Sequence, residues 1–510
     1  MTPDYWSEKT PEKLAIISAE TGIGWTFRAL AETSARWANF LRSRSIKPED
    51  RIAVLAPNRV EAFGAFWAAL RTGARYVPIN WHLKREESAY ILENSGAKLL
   101  LAHSLNADLA MELSQNYPIQ KIAFGGNIKG FERIENRAIG FPSVPNEAEW
   151  EGNSMLYSSG TTGTPKGIVH DRGELPPYGS LKPSAKILID TYGIGPDTVY
   201  LCPAPIYHAA PLAWSMIAMR TGGTVVLMDR FDSETALAAI DRYSVTLAQF
   251  VPTHFVRMLK LPQCVRQRYS LKSLEKVVHA AAPCPIEVKR QMIEWLGLRV
   301  FEFYSGSEAL GMTAIGPEDW LSHPGSVGRP TYGKLHILDE DGHQVSPGEV
   351  GTVYFSGGGT FSYHDDPAKT ADSRAPGGLA TFGDMGWVDK EGYLYLTDRR
   401  SHMIISGGVN IYPQEVENLL VIHPAVEDVA VIGVPDADMG EAVKAVVVPA
   451  TGTIADDTLA MELIAYCRVH LAGYKCPRTI DFVESLPRME NGKLFKRELR
   501  QRYWPVCGGP

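Results

Sequence analysis

Apolar positions recur with two periods along the first half of the chain. Thr26–Arg44 is amphipathic and alanine-rich, the pattern of a helix with one buried face. Arg51–Leu55 (RIAVL) is a short apolar run before the turn Ala56–Asn58 and predicts a strand. Val60–Arg71 predicts a second helix, and Tyr76–Ile79 (YVPI) and Lys98–Ala102 predict further strands. The rhythm restarts downstream. Thr198–Cys202, Thr224–Met228 and Leu247–Phe250 read as strands, with helices at Leu212–Arg220 and Ser233–Tyr243. Strands alternating with helices define an α/β fold with mostly parallel sheets, and two successive units predict two stacked sheet layers.

From Gly325 the pattern shortens. Lys334–Asp339, Gly351–Ser356, Trp387–Asp389 and Tyr393–Thr397 are short strands split by Asp/Gly turns, predicting a small, twisted, barrel-like β region. A charged break, Asp398–His402, precedes a last α/β series: Met403–Ser406, the helix Pro413–Ile422, Val426–Val434 and Ala442–Val448. The expected organisation is a large N-terminal domain over 1–400 and a small, mobile α/β domain over 401–510. A segment of about 110 residues suffices to fold alone.

Composition narrows the function without naming it. The 510 residues exceed what one core usually holds. A net charge of −7 excludes a generally basic nucleic-acid binder but leaves room for a local phosphate groove. Six cysteines, at 202, 264, 284, 467, 476 and 507, form no C-x-x-C pair and no zinc spacing. They read as reduced thiols, most of them small buried hydrophobes. The N-terminus lacks an apolar signal core. The longest apolar stretches, such as Ala62–Leu70, fall far short of the roughly 20 residues of a spanning helix. A cytoplasmic enzyme is the expectation.

Candidate chemistry begins at Met155–Gly167 (MLYSSGTTGTPKG). Ser158, Ser159, Thr161 and Thr162 supply hydroxyls, Gly160 and Gly163 let backbone N–H groups approach an anion, and Lys166 supplies charge. A triphosphate needs those groups. A Walker A loop is excluded, because here the lysine follows Pro165 and the residues after Gly167 continue as a strand. The segment therefore predicts a flap joining two strands. Taken by itself, a Gly/Thr-rich turn is common on surfaces.

The whole string resembles the signature loop of the adenylate-forming superfamily, which includes acyl-CoA synthetases, peptide-synthetase adenylation domains and firefly-type luciferases. Further motifs follow in that family's order: Tyr304-Ser305-Gly306-Ser307-Glu308, Gly383-Asp384-Met385-Gly386-Trp387, Asp398-Arg399, Ser406–Glu417 and Asn491-Gly492-Lys493. The resemblance spans nearly the whole chain. It implies ATP, Mg²⁺ and coenzyme A as cofactors, with Glu308 on the metal, Ser307 at the α-phosphate and Tyr304 against adenine. Ser305 and Ala282 line the nucleotide site, Asp384 accepts the ribose hydroxyls, and Arg399 reaches ribose and phosphates. Lys493 is the implied catalytic lysine, carried in by the small domain. Gly407 and Gly408 line the implied pantetheine tunnel. Ser401 stands at the hinge position, where the family has Asp or Lys. Ser307 and Ser305 replace the family's usual Thr and Gly.

The implied acyl pocket gathers His208, Trp214, Phe250, His254, Ala280, Ala281 and Gly306, apolar or small and without an evident charged partner. The alanines stand where the family often has glycine. An ATP-dependent, AMP-forming ligase joining a hydrophobic acid (fatty, alicyclic, steroid-side-chain or aryl) to coenzyme A follows. The alternatives are an acyl-AMP ligase serving a carrier-protein pantetheine, and a non-catalytic nucleotide- or acyl-binding protein. No membrane segment and no nucleic acid are expected, and a homodimer is left open.

Overall fold

The computed structural model describes residues 1–115, 117–146, 149–158, 165–171, 173–399, 402–488 and 494–504. Two sheets form the large lobe. One is six-stranded and parallel, running from Glu132–Arg133 through Gln120–Phe124, Leu99–His103, Arg51–Leu55 and Arg75–Ile79 to Asn153–Ser154. The other is nine-stranded, with a parallel centre that includes Thr224–Leu227, Val199–Cys202, Leu247–Phe250, Lys276–His279 and Val300–Ser305. Its edges are antiparallel.

A shared helix layer joins the two sheets. Helices Phe27–Ser43, Val60–Arg71 and Ala209–Arg220 pack with Ile52, Val54, Leu99 and Leu101 of the first sheet and Tyr200 and Val225 of the second in one core. In Val60–Arg71 every residue except Glu61 is buried, so this apolar run is a core helix. Truncating Phe63, Phe66 or Trp67 to alanine there would cost about 3–5 kcal/mol each. The N-terminal strand Leu14–Ser18 also belongs to the second sheet, paired parallel with Thr224–Leu227.

The β region is a five-stranded antiparallel sheet: Lys334–Leu338, Gly351–Ser356, Leu379–Val388, Arg374–Ala375 and Leu394–Arg399. Beyond residue 401 a separate five-stranded sheet is built around the long pair Val426–Asp436 and Gly440–Pro449. Among the described residues, the apolar cores of this small lobe draw only on side chains beyond 400, and those of the large lobe only on side chains before it. Among the described residues no helix is long and apolar enough to cross a membrane. Cys202, Cys467 and Cys476 are buried, as a small hydrophobe should be, but Cys264 is exposed.

Candidate active site

Where the large lobe faces the small one, a continuous cleft of about 2290 Å³ opens. Strands Leu156–Ser158 and Lys166–His170 pair antiparallel at its wall, with Ser158 opposite Lys166. The expected strand-to-strand connection is thus in place at both ends. Ser159, Gly160, Thr161, Thr162 and Gly163 lie outside the described residues.

Lys166 Nζ lies 3.4 Å from Asp366 Oδ2 and 5.9 Å from the centroid of the Tyr363 ring. Tyr363 in turn donates its hydroxyl to Glu308 Oε1 at 2.9 Å. The loop lysine and the YSGSE carboxylate are therefore joined through one tyrosine, which no motif in the sequence had singled out. Asp366 caps the helix Pro367–Asp372. Its carboxyl is held below the usual range chiefly by the Lys369 backbone N–H, with Lys166 adding to the effect.

Glu308 leaves the end of strand Val300–Ser305 through a turn at Gly306, where there is little room for a side chain. A Cβ at Gly306 would stand 2.5 Å from Phe382 and 2.7 Å from Glu308 Oε2. Ser305 and Ser307 both line the cleft, and Ser305 donates its hydroxyl to the Gly311 carbonyl at 2.7 Å. Tyr304 donates to Asp384 Oδ2 at 2.7 Å, which holds the aromatic ring and the carboxylate as one unit.

Asp384 corrects a local expectation. Its Gly-Asp-x-Gly sequence reads as a turn, yet the residue sits within the ten-residue strand Leu379–Val388. The register against Gly351–Ser356 slips there, and Gly383 takes a φ of 84°. The glycines therefore permit a β-bulge that pushes the carboxylate toward the cleft. The Arg399 backbone pairs opposite Asp384.

The segment 489–493, with Lys493, lies outside the described residues, but both of its stems are fixed. Arg488 and Leu494 form an antiparallel bridge, and both line the cleft. Arg488 grips Asp428 with two bonds, at 2.6 and 2.7 Å, and Lys496 pairs with Glu417 at 2.8 Å. Lys260 of the large lobe spans the gap to the small one, donating to the carbonyls of Val426 and Glu427 at 3.1 and 3.2 Å. Gly407 and Gly408, by contrast, form the exposed tip of the hairpin Ile404–Ser406/Val409–Ile411 and do not line the cleft in this arrangement. Ser401 lies outside the described residues.

The expected acyl residues all line the cleft, but they divide between two faces of the nine-stranded sheet. Trp214 and Ala280 share a face and core with Tyr200 and Phe303. Phe250 packs on the opposite face with Phe255. His254 lies there too, stacked on Phe231 at 3.7 Å. Ala282 also lines the cleft. Ala281 takes a φ of 75°, a left-handed conformation that favours glycine. His208 stands at the N-terminus of helix Ala209–Arg220. Charged residues do enter the lining, against expectation: Arg220, paired with Glu151, is one and Glu302 another. Glu302 lines the cleft, but Lys289 Nζ meets it at 2.6 Å, so the carboxylate is already paired.

Burial holds His254 neutral, with its pKa pushed down to about 3. The unfolded chain takes up that proton near pH 6.5 and the folded chain refuses it. Stability is therefore full above pH 6.5 and falls as the pH drops toward 3, by about 1.4 kcal/mol per pH unit for this group. Urea unfolding of His254→Phe should show a shallower loss between pH 6 and 4 than the parent protein. An unchanged slope would mean that the ring is not kept neutral by burial.

The fold, with Lys166, Glu308 and Asp384 gathered in a cleft between a large and a small lobe, is that of an adenylate-forming enzyme. The family comparison agrees: the chain belongs to the AMP-binding enzyme family, whose model matches residues 4–363 and whose C-terminal domain model matches 415–493. It is 34% identical to a feruloyl-CoA synthase of an Amycolatopsis species over 94% of both chains. It is 31% identical to a long-chain-fatty-acid–CoA ligase of Mycobacterium tuberculosis, over 97% of this chain and 96% of the relative. The o-succinylbenzoate–CoA synthetase of Bacillus subtilis, solved with its acyl-adenylate intermediate, superposes with a TM-score of 0.81 at 28% identity, covering 98% of this chain and 97% of that one. The activity class is that of an AMP-forming acid–CoA ligase.

Proposed function

We propose that the cleft binds ATP beside a hydrophobic acid, joins them as an acyl-adenylate and then passes the acyl group to coenzyme A. The observation that carries this reading is the single cleft: Ser158, Lys166, Glu308, the Tyr304–Asp384 pair, the stems of the Lys493 segment and the apolar wall at Trp214 all border it.

In the first step a carboxylate oxygen attacks the α-phosphorus and the bond to pyrophosphate breaks. A carboxylate is a weak nucleophile, so positioning and charge neutralisation supply the rate. Lys166, with the hydroxyls of Ser158, Ser159, Thr161 and Thr162, holds the departing phosphates. Lys493 bridges the acid and the α-phosphate. Asp384 holds the ribose, kept in place by Tyr304, whose ring packs on adenine. Arg399 supports the ribose from the end of its strand. Glu308 offers one hard oxygen ligand in the cleft, which fits Mg²⁺, an ion that commonly takes one or two carboxylates plus phosphate oxygens and water. The ion, when bound, neutralises phosphate charge.

In the second step the thiol of coenzyme A loses its proton and attacks the acyl carbonyl, and AMP leaves. No protein nucleophile is required. The small lobe turns about the 400–401 junction, withdrawing Lys493 and bringing the Gly407–Gly408 tip to the pantetheine path. The separate cores on either side of that junction support the motion. The setting is the cytoplasm.

A panel of fatty, alicyclic and aryl acids, assayed for pyrophosphate release and for thioester mass with ATP and coenzyme A, tests the reading. The expected result is thioester from apolar acids. Activity confined to small polar acids, or pyrophosphate release without any thioester, would refute it.

A further inference from the structure

On the face of the nine-stranded sheet that carries Trp214, strand Leu247–Phe250 presents Gln249. The side chain is 6% exposed and lines the cleft. Its Oε1 accepts the Tyr200 hydroxyl at 3.1 Å. That bond fixes the amide's orientation, because a tyrosine hydroxyl donating to Oε1 turns the NH₂ group the other way. The amide nitrogen has no hydrogen-bond partner among the described residues. The amide nitrogen keeps contact with the cleft, where an acceptor on a bound ligand can meet it.

Aromatic rings pack on the same face of the sheet. The Tyr200 and Trp214 rings lie 6.2 Å apart at 27°, and the Trp214 and Phe303 rings 5.7 Å apart, also at 27°. Along the sheet, Gln249 pairs with Val278. Trp214 and Phe303, packed on each other, give this side of the cleft an aromatic surface against which a planar ring can lie. An uncharged amide donor beside them suits a neutral oxygen and offers a second carboxylate no counter-charge.

We infer that Gln249 is a specificity-determining residue, and that its amide N–H reads a neutral oxygen (hydroxyl, ether or ketone) on the ring of an aryl acid lying along Trp214 and Phe303. This deepens the proposed ligase reading and rests on it. Tyr200 is a positioning residue that acts through Gln249.

The test compares benzoic and phenylpropenoic acids, each with and without a ring hydroxyl at each position, by kcat/KM for pyrophosphate release. The full-length enzyme should prefer the best hydroxylated acid over its parent by tenfold to a hundredfold, roughly the discrimination of a site donor that only one of two ligands can satisfy. Gln249→Leu should bring that ratio close to one while retaining activity on the parent acid. Tyr200→Phe should give an intermediate ratio, because the amide is then free to turn. A wild-type ratio near one at every ring position would overturn the inference. So would a Gln249→Leu variant that loses both acids by the same factor, which is what a purely structural role produces. Inactivity with every acid, fatty ones included, would overturn the ligase reading and this inference with it, whereas a flat ratio strikes this inference alone.

Discussion

Replacing Lys493 by alanine slows acyl-adenylate formation by about 10²–10³-fold, the usual effect of removing one preorganised charge from a transition state. The transfer of a chemically supplied acyl-adenylate to coenzyme A stays within a few-fold of the parent rate. The asymmetry follows from where the residue is carried. Its segment is stemmed by Arg488 and Leu494, which line the cleft and are tied to Asp428 on one side and, through Lys496, to Glu417 on the other. These ties hold the stem to the small lobe, so on the proposed mechanism the lysine travels with that lobe. Pyrophosphate exchange checks the first half-reaction and thioester formation from the adenylate checks the second. Equal losses in both would remove the assignment, because the lysine would then serve a step for which the lobe should have carried it away.

Glu308→Gln comes next in size. The side chain keeps its volume and can still accept from Tyr363, so unfolding should shift little. The charge is gone, and with it the hard ligand in the phosphate half of the cleft. Adenylation should fall by about 10²–10³-fold, with partial recovery as the Mg²⁺ concentration is raised. Tyr363→Phe, which leaves the carboxylate and removes only its 2.9 Å donor, should cost about tenfold. If the glutamine variant showed full activity with an unchanged Mg²⁺ dependence, Glu308 would be a structural acceptor for Tyr363 and nothing more.

Local pattern carried most of the fold. Arg51–Leu55, Val60–Arg71, Ser233–Tyr243, Leu247–Phe250 and Gly351–Ser356 appear in the structure with the bounds that their periodicity predicts. These segments bury one face or all faces, so burial writes itself into residue order. Strand Leu14–Ser18 was not legible, because its local partner, Gly24–Thr26, is only three residues long and its parallel partner lies some two hundred residues downstream. The Leu379–Val388 strand was read only at its end, since Gly383 and Gly386 look like turn residues until a partner strand shows them to be a bulge.

The site divides in the same way. Glu308, Lys166, Asp384 and Tyr304 stand in motif strings and come together in one cleft. Tyr363 and Gln249 stand in no motif. Their importance lies in what they touch, a carboxylate in one case and a buried hydroxyl in the other, and contact across sheets leaves no trace in neighbouring letters.

The shared helix layer limits how this protein can be recombined. A crossover between the two sheets would leave Phe63, Phe66 and Trp67 facing a surface that had not evolved with them. Among the described residues, a crossover in the 400–401 connection severs no hydrophobic cluster. New pairings of acid choice with small-lobe behaviour should therefore be made by exchanging everything after that point, whereas, on the proposed reading, a change of acid calls for single substitutions on the sheet face beside Trp214.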